Sequence, residues 1–143
     1  MRLFAISLIC CVVLNGSADA QLRGHGGPIR ALAISADGAT ALSGSFDASA
    51  ILWSLRRDAA EQVLRLHAGA VNAVAFLRDG RVVTAGEDAR ISIWTPGKQT
   101  PDAVLEGHEG PIVALAISPD GAILASEQLA RTDANYGSRN PGD

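Results

Sequence analysis

Histidine, hydroxyl, aspartate and tryptophan recur in fixed order along this chain. His25, Ser43, Asp47 and Trp53 form one set, and His67, Thr84, Asp88 and Trp94 a second, each with the hydroxyl four residues before the aspartate and ten before the tryptophan. His108 and Ser126 begin a third set, but the places of its aspartate and tryptophan hold Ala130 and Tyr136. A hydroxyl, an imidazole and a carboxylate are the parts of a hydrolytic triad, in which the imidazole takes the hydroxyl proton and the carboxylate orients it. Three histidines are also enough ligands for zinc, provided that they converge within about 2.1 Å of one ion. The spacing argues against both. A triad is built once in a domain, whereas this set is copied, and ligands carried by separate copies have no reason to meet.

What is copied is a whole structural unit. GHGGPIRALAISADG from Gly24, LHAGAVNAVAFLRDG from Leu66 and GHEGPIVALAISPDG from Gly107 superpose, with the histidines spaced 42 and 41 residues apart and the tryptophans 41 apart. Each unit divides into short alternating runs bounded by turn residues, the pattern of antiparallel strands. The first runs are 28–35, 71–77 and 112–118, each closed by Asp-Gly, a dipeptide that accepts positive φ and marks a tight hairpin. Second runs follow at 39–44, 81–86 and 122–126, third runs at 48–54 and 89–95, and fourth runs at 62–66 and 102–105. Four short strands in a period of about 41 residues describe one blade of a β-propeller.

On these residues the chain resembles the WD-repeat β-propeller family, in its bacterial, exported form. The resemblance covers Gly24-His25 to Leu52-Trp53, Leu66-His67 to Ile93-Trp94, and a third start at Gly107-His108 that runs to about Ser126. It implies an all-β chain: a partial propeller of four-stranded antiparallel blades, two complete and half of a third. It further implies that His25, Ser43, Asp47 and Trp53, and again His67, Thr84, Asp88 and Trp94, form buried tetrads that satisfy the polar groups of the blade turns, with His108 and Ser126 as an incomplete third. No catalytic residue, metal or cofactor is then expected. The glycine-rich turns at 24–27 and 107–110 lack the lysine and the strand-to-helix setting of a phosphate loop. Rim positions Arg30, Phe46, Asn72, Glu87 and Arg90 are candidates for partner contacts.

Composition narrows the function classes. Arg2, the apolar run 3–14, the breakers 15–17 and Ala18-Asp19-Ala20 read as a secretory signal over 1–20, which places the product in the periplasm or outside the cell. Cys10 and Cys11 fall inside that run, so the mature chain has no thiol chemistry. The net charge of −3 and the scattered arginines argue against nucleic acid as a partner. No apolar run beyond the signal is of membrane type.

Residues 21–126 are thus expected to be a propeller fragment and 127–143 a disordered or frameshifted tail. If Glu127-Gln128-Leu129 is encoded GAG-CAG-CTG, a shift of one base reads Ser-Ser-Trp. The expected function is a non-catalytic scaffold for protein partners, with self-assembly as a way to close the ring. The alternatives are an accessory propeller truncated from a periplasmic cytochrome c-linked redox protein, and a non-functional gene fragment.

Overall fold

A computed structural model of the chain describes residues 22–129; the signal over 1–20 and the tail from 130 onward lie outside the described residues. Ten strands and no helix make up the described part: β1 (Ile29–Ile34), β2 (Thr40–Ser45), β3 (Ser49–Ser54), β4 (Ala59–Arg65), β5 (Val71–Phe76), β6 (Val82–Gly86), β7 (Ile91–Trp94), β8 (Ala103–Leu105), β9 (Ile112–Ile117) and β10 (Leu124–Gln128). They form two four-stranded antiparallel sheets, β1-β2-β3-β4 and β5-β6-β7-β8, and a two-stranded sheet of β9 and β10. The fold is a partial β-propeller with two complete blades and half of a third.

Turn chemistry sets the strand ends. Asp37, Asp79 and Asp120 each turn a carboxylate back to accept the backbone N–H two residues on, from Ala39, Arg81 and Ala122. The glycines that follow take positive φ, 68° at Gly38, 86° at Gly80 and 75° at Gly121, where a side chain would be strained. Most strand ends shift by one or two residues from the sequence reading, and two of the differences bear on the packing. β4 starts three residues earlier, at Ala59, because Asp58 adopts a left-handed φ of 49° and folds Ala59 directly opposite Ser54. β10 is displaced two residues along the chain and includes Glu127 and Gln128, which the sequence reading assigns to the tail.

Each first strand carries a one-residue irregularity near its start, with Arg30, Asn72 and Val113 left out of the ladder. That extra residue lets Val71 and Val74 point to the same face despite an odd separation. First strands of successive units lie against one another, β1 on β5 and β5 on β9, and the blades stack face to face. Leu42, Ala50, Leu52 and Leu64 of the first blade meet Val71, Val82 and Trp94 of the second, flanked by Val74 and Phe76. Ala73, Val83, Ala85 and Ile91 of the second blade meet Ile112, Leu115 and Leu124 of the half-blade in the same way.

The stack leaves both of its ends without a neighbour among the described residues, and at the first blade large apolar side chains are exposed as a result. We call the face of a unit toward its predecessor its leading face. Ile29, Leu32 and Ile34 occupy on the first blade the positions of Val71, Val74 and Phe76 on the second, yet they are 56%, 66% and 52% exposed. Farther out on the same face Trp53 is covered by the approaching chain, packed with Ala41 and Ile51 beneath Leu22 and Leu55.

Candidate functional site

The recurrent polar residues converge within each blade, at the edge where the chain enters the first strand. In the first blade Nδ1 of His25 lies 3.1 Å from Oδ2 of Asp47, and Nε2 lies 2.7 Å from Oγ of Ser43. The indole Nε1 of Trp53 donates to the same Oγ at 2.7 Å. In the second blade the corresponding distances are 2.9 Å for His67 to Asp88, 2.9 Å for His67 to Thr84, and 3.1 Å for Trp94 to Thr84. One proton arrangement satisfies every group: the indole donates to the hydroxyl oxygen, the hydroxyl donates to Nε2, and Nδ1–H donates to the carboxylate.

The carboxylate has a second task. Oδ2 of Asp47 accepts the backbone N–H of Gly26 at 2.7 Å, and Oδ2 of Asp88 accepts that of Ala68 at 3.1 Å, so each aspartate ties the loop entering its blade to the turn after the second strand. Burial works to raise the Asp47 carboxyl; hydrogen bonds from Ser49, Gly26 and His25 outweigh it and hold the group well below its ordinary value. At Asp88 burial again opposes, and the bond and charge of His67 with the N–H groups of Ala68 and Arg90 win, so its pKa is lowered too. The turn that presents each aspartate is strained: Ala48 and Ala89, the residues after them, both sit at φ 62°.

The third unit resolves its missing aspartate in a way the sequence reading does not anticipate. His108 is expected there to lack two partners. Instead Oε1 of Gln128 accepts Nδ1–H of His108 at 2.9 Å and the N–H of Glu109 at 2.9 Å, the same two donors that Asp47 and Asp88 serve in the other units. Nε2 of His108 meets Ser126 Oγ at 2.6 Å. Gln128 stands two residues after Ser126, where the other units have Ser45 and Gly86, and its longer side chain makes up the difference in reach. No indole serves Ser126, because both tryptophans of the chain are bonded in their own blades.

Chemically, the distances are those of a hydrolytic triad and the surroundings are not. Ser43 is 1% exposed and Thr84 is 0% exposed, so a substrate has no approach to either oxygen, and each already accepts an indole N–H. Ser126 is half-buried, but Gln128 is uncharged and offers no counter-ion to an imidazolium. Both nitrogens of each imidazole are engaged within the histidine's own unit, which leaves none to ligate a metal shared between units.

Of the rim candidates, Arg30 lies over the Phe46 ring at 4.8 Å from its centroid, both exposed. Arg90 pairs with Glu106 at 3.0 Å, and Glu87 accepts the N–H of Ala70 at 3.4 Å. Asn72 is a junction residue and not a rim residue: it is buried, and its amide donates to the carbonyl of Ile112 in the half-blade at 3.0 Å.

Comparison with known proteins agrees with this geometry. The WD domain, G-beta repeat family matches the chain over residues 9–54, 60–95 and 99–129, the first match beginning within the segment read above as an export signal. No curated protein matches the chain.

Proposed function

Since the chain belongs to the WD domain, G-beta repeat family, we propose that it is a non-catalytic, exported scaffold that binds proteins and completes its propeller with further blades supplied by copies of itself. The observation that carries this reading is the contrast within the repeat. Val71 on the leading face of the second blade is 0% exposed beneath its neighbour, whereas Ile29, its counterpart on the first blade, is 56% exposed. A repeat unit cannot bury its hydrophobic face alone, and an exposed contiguous apolar face marks an association surface. Non-catalysis is supported by the sealed hydroxyls and by the repetition of the set, export by the apolar run after Arg2.

Light scattering on the eluting product tests it. The wild-type chain is expected at a mass of more than one chain, and Leu32→Glu, on a side chain already 66% exposed, at the mass of one chain with its β circular dichroism retained. A wild-type product eluting as a single chain, indistinguishable from the variant, contradicts the reading.

A further inference from the structure

The first and second blades close on each other unevenly. At Gly44 they leave no room for a methyl group, yet at the hairpin ends of the same junction stands a cavity of about 350 Å³, at the lower end of the size range of ligand sites. Ala36, on the turn after β1, lines it from the first blade, and Gly80, on the turn after β5, from the second. Leu52, Phe76, Leu77 and Pro96 give it apolar walls. Gln62 holds one of these in place. Its side-chain amide accepts the N–H of Gly97 at 2.7 Å and donates to the carbonyl of Lys98, which fixes the turn carrying Pro96 against the first blade. Asp37 and Glu61 bring two carboxylates to the lining.

The second junction shows what fills such a place. There the repeat counterpart of Ala36 is Arg78 and that of Gly80 is Gly121, and the arginine stem lies over the glycine. A Cβ at Gly121 would stand 2.9 Å from Cδ and 3.1 Å from Cγ of Arg78, whereas one at Gly80 would meet nothing within 4 Å. Arg78 also borders the first cavity, but its stem runs to the half-blade. The carboxylates differ in the same sense. Asp79 is paired with Arg81 at 2.8 Å. Its counterpart Asp37 has Ala39 in place of that arginine, and accepts the Ser35 hydroxyl at 2.6 Å and the Ala39 N–H at 3.0 Å, with Arg56 acting only from farther off. Glu61 is paired with Arg57, an exposed contact one helical-type spacing away that contributes little. The first turn thus carries two alanines where the second carries two arginines, and keeps the carboxylate that a cation would serve.

We infer that the cavity between the first and second blades binds an arginine side chain of a partner protein, its methylenes against Leu52, Phe76 and Leu77 and its guanidinium on the carboxylates of Asp37 and Glu61. A guanidinium suits the place better than an ammonium, because its planar fork matches a carboxylate and it stacks on an aromatic ring. The inference rests on the scaffold reading only in taking the side chain from a protein, and is independent of the leading face of the first blade.

The test titrates the full chain with an acetylated, amidated peptide of one arginine between alanines, followed by nuclear magnetic resonance. The amide signals of Ala36, Asp37, Phe76, Leu77 and Gly80 are expected to shift and saturate. Replacing the arginine by citrulline, which keeps the shape and loses the charge, is expected to weaken binding by at least about tenfold. Asp37→Asn, whose amide oxygen still accepts the turn N–H, is expected to do the same with β circular dichroism retained. Ala36→Arg, which supplies in the first junction the side chain that Arg78 supplies in the second, is expected to abolish binding. Leu32→Glu is expected to leave the titration unchanged, so that self-association and this site fail separately. Equal binding of the two peptides, full binding to Ala36→Arg, shifts that avoid the cavity, or no binding overturns the inference. Free arginine amide bound as tightly as the peptide overturns the assignment to a protein partner.

Discussion

Asp47, Asp88 and Gln128 do one job with two chemistries. Each accepts an imidazole Nδ1–H and the next backbone N–H, which closes the loop entering a unit onto its second strand. Removing the imidazole leaves a buried hydroxyl and a carboxylate short of partners, at about 1–3 kcal/mol for each group. His67→Ala is therefore expected to destabilise the fold by about 2–5 kcal/mol, measured by thermal or denaturant unfolding; an unchanged midpoint contradicts the structural role. The carboxylates also set a pH dependence. Both have pKa values lowered in the folded chain, so the unfolded chain takes up their protons first on acidification. Their contribution is complete above the ordinary aspartate value of about 4 and is lost as the pH falls below it. Denaturant midpoints are expected to drop between pH 6 and pH 3 by less in Asp47→Asn, which carries no such proton linkage at that site, than in wild type.

Strand length and face were legible where the chain alternates and stops on Asp-Gly, because both signals are local. They were not legible where the determinant is a contact across the fold. Ala59 and Ala60 show no polar alternation, and only the left-handed Asp58 brings them into β4. Gln128 does not sit at the aspartate's position, so no spacing rule finds it, and its role depends on where His108 ends up. Asn72 reads as a rim residue from its place in the repeat and is instead enclosed by the next unit. Close approach between sheets is equally invisible in sequence. A Cβ at Gly44 would stand 2.7 Å from Cγ1 and 2.9 Å from the carbonyl oxygen of Val71, so the first and second blades meet there with no room for a methyl group. Gly44→Ala is expected to cost about 1–3 kcal/mol in unfolding free energy, the usual penalty of overpacking; a variant as stable as wild type would mean that the blades are not held at this spacing.

Across the whole molecule, stability is passed from unit to neighbouring unit, as in other stacked repeats. The second blade is covered on both faces. The first lacks a neighbour on its leading face, and the half-blade lacks its third and fourth strands among the described residues. The two tryptophans report this difference. Trp94 sits in the closed junction, while Trp53 lies beneath Leu22 and Leu55 at the open end. Hydrogen exchange of the two indole N–H groups in the full chain measures directly whether the recurrent histidine sets bind the blades together. Both protons are expected to exchange orders of magnitude more slowly than free indole, Trp94 more slowly than Trp53, and His67→Ala is expected to release Trp94. Exchange of Trp94 at the rate of free indole, or protection unaffected by loss of His67, would contradict the account.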